Sequence, residues 1–436
     1  MMDLKQKLLN KQAKISIIGL GYVGLPLAIA LAKSGFEVCG IDTSKSKIQS
    51  IQSGKSYIED IKSKDIATLT SSQGIKGPLL KATTKYSSIK NSDVIIICVP
   101  TPLSKSKDPD ISYILNSINS ISSELKLNTL LVLESTTYPG TTEELVLPIL
   151  EKSKGRNLKV GNDFYLGYSP ERIDPARSNQ SIRNTPKVIA GITEECLDLV
   201  KIFYESIVDK VVPVSNTKAA EMVKLLENTF RATNVALVNE IYLICDKLNI
   251  DVWEVIEAAK TKPFGFMPFY PGPGIGGHCI PVDPHLLEWK LKTLNYKARF
   301  IQLSAEINES MPEHWIEKTQ DLLNQNNKPI KNSKILVLGV AYKPDVSDTR
   351  ESPSLCIIEK LISKGAELDY HDPLAKVITV DGKNLISISN SILENGLQSY
   401  DCVIIATDHS SYDWKEIQKK SNLIIDTRNA LKNNKI

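Results

Sequence analysis

The chain has 436 residues, about three times a common domain length of roughly 150, so a single small binding module is excluded. Its 42% hydrophobic and 24% charged residues, with Gly and Pro at 22 each, are the balance of a folded protein and exclude wholesale disorder. Against 53 Lys and Arg stand 50 Asp and Glu, and a net charge of +3 is too small to argue for a nucleic-acid or membrane-surface partner.

The first segment, MMDLKQKLLNKQAK, is polar, and no later apolar run reaches the ~18 to 20 residues of a spanning helix, so a cytoplasmic location is expected. From Lys14 to about Val211, short β-branched runs alternate with helical stretches: KISIIG, a helix from Tyr22, FEVCGID, a helix from Ser44, DVIIICVP and TLLVLEST. That rhythm predicts βαβ units on a parallel sheet. A helical period opened by Ser215 as N-cap then runs to about Leu248, long enough for a central spine. Between Thr261 and Asp283, TKPFGFMPFYPGPGIGGHCIPVD carries Gly and Pro too densely for a regular element and reads as a long loop. Helical pattern resumes from Leu286 to about Leu323. After polar NQNNKPIKN, KILVLG restarts the strand-helix alternation through GAELDYH, YDCVIIATD and NLIIDTR. Seven cysteines, an odd number without tight spacing and with Cys39, Cys98 and Cys402 in strand-like runs, read as reduced thiols.

Gly19, Gly21 and Gly24 form G-x-G-x-x-G between a strand and a helix, and Asp42 closes the next strand. Gly19 permits the tight turn, Gly21 lets backbone amides approach a pyrophosphate, and Gly24 allows close helix-to-strand packing. Asp42 would bond ribose hydroxyls and repel a 2′-phosphate, which favours NAD over NADP. Lys45 and Lys47 either soften that preference or form a solvated helix face. The expected fold is α/β: two Rossmann-like parallel-sheet domains joined by a central long-helix segment, divided at residues 1–212, 213–325 and 326–436. The two α/β halves echo one another, but only the first carries the glycine fingerprint.

Cys279 follows consecutive glycines in GPGIGGHCIPVDPH, where small residues let a substrate approach the thiol, and a thiolate attacks carbonyls. A buried structural cysteine and a metal site of His278, Cys279, Asp283 and His285 are the competing readings. No Cys-x-x-Cys or His-x-x-x-His framework supports a metal, so none is expected. On the long helix, Lys224, Asn228 and Arg231 fall at i, i+4 and i+7, either as a solvent-facing edge or as groups that stabilise an oxyanion. Glu171 and Arg172 in YSPERIDP lie just past an apolar strand, as ligand groups or as a salt-bridged turn. Thr101 in CVPTP and Thr136 in LESTTYPG sit at strand ends, where hydroxyls touch a cofactor or cap a turn. Lys343, Arg350 and Arg428 near strand ends of the last domain form an anion site or a surface ion-pair network. His314, His371 and His409 are isolated and receive no role.

Taken together, IIGLGYVGLP, CVPTP, ESTTYPGTTE, SPERI, AEMVKLLENTF, PGPGIGGHCIPVDP and YKPDVSDTRESPS resemble the nucleotide-sugar 6-dehydrogenase family, from about Lys14 to Arg428. SYIEDI, TKPFGFMPFYPGPG and GGHCIPVDP look most like the bacterial UDP-N-acetylglucosamine 6-dehydrogenases of O-antigen and capsule pathways. The resemblance implies oxidation of a sugar C6 alcohol to a carboxylate with two NAD and one water, in a homodimer or higher homo-oligomer built around the central helix. It implies Cys279 as nucleophile, Lys224 and Asn228 around the reacting oxygen, Glu171 assisting hydrolysis, and Asp283 as neighbouring base or water-orienting group. Thr136 would position water near the nicotinamide. Tyr22, Val23, Asp42, Lys47, Thr101 and Thr136 would contact NAD. Arg172, Ile173, Arg231, Gly276, Lys343, Arg350 and Arg428 would contact the UDP-sugar. The N-acetylgalactosamine and N-acetylmannosamine epimers and UDP-glucose are alternative substrates. A two-electron dehydrogenase with a structural Cys279, or a non-catalytic NAD and nucleotide-sugar binding protein, is the alternative function.

Overall fold

A computed structural model describes residues 2–58, 61–71, 77–104, 107–172 and 181–433. The chain forms two compact units, residues 1–227 with 285–294, and residues 228–284 with 295–436. In the first unit β1 (Lys14–Ile18), β2 (Glu37–Ile41), β3 (Leu80–Thr83), β4 (Val94–Ile97), β5 (Thr129–Leu133), β6 (Phe164–Tyr168), β7 (Lys187–Gly191) and β8 (Val211–Pro213) make one sheet. Their order is β3-β2-β1-β4-β5-β6-β7-β8, whose first six strands have the order of a doubly wound dinucleotide fold.

Side chains alternate through this sheet. Ile15, Ile17, Val94, Ile96, Leu130 and Val132 belong to one apolar layer, while Ile18, Ile95, Ile97, Leu131 and Leu133 belong to the other. Both faces are covered, so the strands read as continuous apolar runs. One pairing departs from the expected parallel sheet: β6 and β7 run antiparallel, with Gly167 opposite Gly191 and Tyr168 opposite Ala190. The connection of residues 169–186 is long enough for either direction, so spacing alone does not choose.

In the second unit β9 (Lys334–Leu338), β10 (Glu367–His371), β13 (Cys402–Ile405) and β14 (Ile424–Asp426) form a parallel sheet in the order β10-β9-β13-β14. Between them β11 (Val377–Val380) and β12 (Lys383–Ile386) make a hairpin. Its turn residues Asp381 and Gly382 have φ of 47° and 71°, the left-handed pair that an Asp-Gly hairpin turn requires.

The echo between the two halves extends to hydrogen bonds. Gly19 N–H donates to the Ile41 carbonyl at 2.8 Å, and Gly339 N–H to the His371 carbonyl at 2.9 Å. Leu20 N–H donates to Asp42 at 2.9 Å, and Val340 N–H to Asp372 at 2.8 Å. The second carboxylate is closed off, however. His409, fully buried, accepts the Asp345 N–H at Nδ1 (3.0 Å), which leaves its Nε2 proton for Asp372 (3.0 Å). Burial alone would raise the Asp372 carboxyl, but His409 and the N–H groups of Ala375 and Val340 hold it down at about 2. His409 thus has a structural task that its isolation in the sequence conceals.

The central helix runs from Thr217 to Leu248. Its cap is Asn216, whose side-chain oxygen accepts the Ala219 N–H at 2.8 Å, one residue past the expected Ser215. The helical pattern expected from Leu286 to Leu323 is two helices, Asp283–Lys292 and Arg299–Gln325, parted where Asn295 takes a φ of 55°. In the second unit Asn239 is fully buried and takes the Gly272 N–H at 3.0 Å while donating to Asn308 at 3.0 Å; Trp315 donates to the Gly272 carbonyl. These bonds pin the Gly- and Pro-rich loop to the helices. Asn239→Ala leaves the Gly272 amide unpaired in the interior and is expected to cost about 1–3 kcal/mol, read as a lower urea midpoint; an unchanged midpoint would refute this anchor. Among the described residues no helix is long and apolar enough to cross a membrane.

Candidate active site

Each glycine of the first turn has its own reason. A Cβ on Gly19, whose φ is 91°, would sit 2.5 Å from the Cys98 carbonyl oxygen, and one on Gly24 would sit 1.9 Å from the Gly19 oxygen. Gly21 has nothing within 4 Å of that position, so its backbone stays open to approach. The turn leads into the Gly24–Lys33 helix, with Tyr22 exposed and Val23 packed on the apolar layer. These residues fit a dinucleotide, with the pyrophosphate at the helix N-terminus and Asp42 at the end of β2. The Lys47 ammonium lies 3.0 Å from Asp42, so its charge is engaged with that carboxylate. Tyr57, which sequence patterning missed, donates its hydroxyl to the Leu20 carbonyl at 2.6 Å. Thr101, past β4, donates to the Thr136 carbonyl at 2.7 Å and ties together the loops that follow β4 and β5.

In the second unit the Cys279 carbonyl accepts the N–H groups of Val282 (3.1 Å) and Asp283 (2.8 Å), a tight turn into the following helix. Asp283 is 2% exposed and accepts a hydrogen bond from the Asn228 amide; the Asn228 oxygen accepts from Arg231 at 2.5 Å. The central helix is therefore tied to the cysteine turn through Asn228 and Asp283. Lys224, one turn earlier on that helix, is 7% exposed, and its ammonium meets no partner among the described residues of the first unit. A buried lysine in that state is a candidate for binding an oxygen of a ligand.

The consecutive glycines ahead of Cys279 also meet a neighbouring loop. A Cβ on Gly276 would lie 2.6 Å from the Tyr342 Cβ, and one on Gly277, whose φ is 90°, 2.9 Å from the Tyr342 ring. They make room for the loop that follows β9, and Gly277 N–H donates to the Arg350 carbonyl at 3.0 Å. Arg350 bonds Asp348 through two nitrogens and reaches His278 Nδ1 at 3.2 Å, while the Lys343 ammonium lies over the Tyr342 ring. Arg428, past β14, donates to the Ala406 carbonyl at 3.0 Å, and a Cβ on Gly272 would collide with it. Burial pulls the Arg428 guanidinium down, against the opposing charges of Asp408 and Asp426. The cations near strand ends thus gather on one loop, Gly272 to Cys279. His285 faces Glu288 at 3.1 Å, and among the described residues no group of three or more His, Cys, Asp or Glu could hold a metal ion.

In the first unit, past β6, Arg172 donates its backbone N–H to Glu171 at 2.9 Å. Its guanidinium grips Glu227 at 2.6 and 3.3 Å and the Pro186 carbonyl at 2.8 Å. Ile173 lies outside the described residues.

The doubly wound first unit, its glycine turn and the Asp42 carboxylate define an NAD-dependent oxidoreductase. Residues 13–208 match the NAD binding domain of the UDP-glucose/GDP-mannose dehydrogenase family, 218–310 its central domain and 336–433 its UDP binding domain. The chain belongs to that family and is an NAD-dependent UDP-sugar dehydrogenase. It is 35% identical over 446 residues to UDP-N-acetyl-D-mannosamine dehydrogenase of Methanococcus vannielii, covering 99% of this chain and 96% of that protein. Identity to UDP-N-acetyl-D-glucosamine 6-dehydrogenase of Salmonella typhi is 33% over 404 residues, covering 92% and 91%. The solved structure of UDP-D-ManNAc dehydrogenase from Pyrococcus horikoshii matches with a TM-score of 0.85 at 36% identity, over 96% of each chain.

Proposed function

We propose that this chain oxidises the C6 hydroxyl of a UDP-N-acetylhexosamine to the carboxylate, with Cys279 holding the sugar carbon between the two oxidations. The observation that carries this reading is the link from the central helix through Asn228 and Asp283 to the Cys279 turn. NAD, when bound, takes up a hydride in each oxidation. Gly19, Gly21, Tyr22, Val23, Gly24, Asp42, Lys47, Thr101 and Thr136 hold it, and Thr136 also orients water. Lys224 and Asn228 bind the reacting oxygen and stabilise its negative charge. The Cys279 sulfur adds to the aldehyde carbon as a thiohemiacetal, and oxidation leaves a thioester. Water then attacks the acyl carbon, its proton passing to Glu171 with Asp283 orienting, and the sulfur departs. Arg172, Ile173, Arg231, Gly276, Lys343, Arg350 and Arg428 bind the UDP-sugar.

Among the sugars, relatives named for the mannosamine epimer align over more of the chain than those named for the glucosamine epimer, which supports UDP-N-acetylmannosamine first and UDP-N-acetylglucosamine second. We read the enzyme as cytoplasmic and as three domains, residues 1–212, 213–325 and 326–436. We also read it as a homodimer. Met222, Leu226, Phe230, Leu237, Ile244 and Leu248 stay exposed at helical spacing along the central helix, and a second copy of that helix fits this stripe.

The test is NADH released per mole of each limiting UDP-sugar with excess NAD. A ratio of about two is expected, because the thioester route carries the alcohol through to the acid. A ratio of about one favours a two-electron dehydrogenase, and no NADH with any epimer favours a binding protein.

A further inference from the structure

Just past β5, the Glu134 side chain is fully buried. At the start of β7, Lys187 is 8% exposed, and its ammonium meets Glu134 Oε2 at 3.0 Å. Tyr204, on the Glu194–Glu205 helix, donates its hydroxyl to Glu134 Oε1, and the Lys187 ammonium stands 5.2 Å from the centre of the Tyr204 ring. On its other side the ammonium lies 3.7 Å from Glu171 Oε2. The reversed direction of β7 produces this placement. Continuing the register of Tyr168 with Ala190 brings Lys187 level with Glu171, whereas a β7 parallel to β6 would start at the opposite end of the strands.

One buried cation between two carboxylates is not explained by stability. Desolvation of such a group offsets most of its attraction, and apolar residues of equal volume often serve as well. Buried charge beside a residue at a strand's carboxyl end is better explained by chemistry there.

We propose that Lys187 is a positioning residue for Glu171: anchored from behind by Glu134 and Tyr204, its ammonium holds the Glu171 carboxylate in place. This rests on the reading that Glu171 takes the proton of the water that hydrolyses the Cys279 thioester. In that step the water oxygen bonds the acyl carbon, and the C–S bond breaks with its electron pair to sulfur. The water proton goes to Glu171. Lys187 makes and breaks no bond.

The groups facing this cluster are Glu134 after β5, Lys187 on β7, Tyr204 on its helix and Cys98 after β4, with Arg172 beside Glu171 and Glu227 beyond it. Burial pushes the Glu134 carboxyl up. Burial also acts to lower the Lys187 ammonium, but the charges of Glu134 and Glu171 outweigh it and push that group up. Removing the ammonium leaves two like charges facing one another, and removing the Glu134 charge takes one of them away.

The experiment follows the acyl adduct on Cys279 by intact mass, and its decay against pH, with NAD and whichever UDP-N-acetylhexosamine is turned over. Glu171→Gln is expected to accumulate adduct at every pH. Lys187→Met moves the acid limb of decay upward by about one pH unit or more, Lys187→Arg restores it, and Glu134→Gln moves it downward. A purely structural role would not shift the limb in opposite directions. If Lys187→Met does not fold, the isosteric Glu134→Gln decides alone. Accumulation in Glu171→Gln with an unshifted limb in the Lys187 and Glu134 variants overturns the proposal. Normal decay in Glu171→Gln removes the reading of Glu171 on which it rests.

Discussion

Replacing Cys279 by serine is expected to stop acid formation, by about 10³-fold or more, while NAD still binds. The two side chains differ by one atom, and the bonds that shape the turn are backbone bonds from Val282 and Asp283 to the residue-279 carbonyl, which serine keeps. The cofactor turn at Gly19 to Gly24 belongs to the other unit and depends on close contacts with Cys98 and Ile17. What changes is the nucleophile: a hydroxyl needs strong activation to attack an aldehyde, whereas a thiol ionises readily and leaves readily from a thioester. Calorimetric NAD affinity within about twofold of the unaltered enzyme, with no uronic acid by mass spectrometry, is the expected pair of results. Acid formation at the unaltered rate would remove Cys279 from the mechanism and return it to a structural cysteine.

What the sequence displays depends on how local the physics is. The runs KISII, VIII and TLLVL become β1, β4 and β5 because strands covered on both faces must be continuously apolar. The glycine turn and Asp42 are equally legible, since each answers a steric or hydrogen-bonding demand within one βαβ unit. The reversal of β7 is not local, and it places Lys187 level with Glu171. The partners of Lys187 and Tyr204 on Glu134 are 53 and 70 residues away in the chain, beyond any periodicity. A charged residue opening the apolar run KVIAG was the available signal. The glycines ahead of Cys279 show the complementary case: the pattern is conspicuous, but the approach of Tyr342 from another loop, which also demands small residues there, is invisible to it. Asn216 as cap and the break at Asn295 are short-range features masked by stronger neighbouring signals.

Between about pH 4.5 and 7 the first unit is expected to lose stability as pH rises, through Glu221, by at most about 3 kcal/mol. This carboxyl, fully buried on the central helix, accepts the Gly140 N–H at 2.6 Å, the Thr142 N–H at 2.9 Å and the Thr142 hydroxyl at 2.7 Å. Burial raises it to about 7, against those three donors, which favour the ionised form. An unfolded glutamate releases its proton near 4.5, so within this window the folded chain holds more protons. The contribution is fully present below the lower value and is lost as pH passes the higher one. Glu221→Gln should be less stable at acid pH, because its amide turns donors toward a donor, yet its urea midpoint should lose this slope. If the unaltered protein and Glu221→Gln instead share one pH slope, the three donors outweigh burial and Glu221 stays ionised throughout. The segment it holds, Gly140 to Thr142, lies a few residues past Thr136, whose carbonyl anchors Thr101. A glutamate that titrates near neutral pH would therefore make the geometry of the proposed cofactor loop, as well as its stability, sensitive to pH.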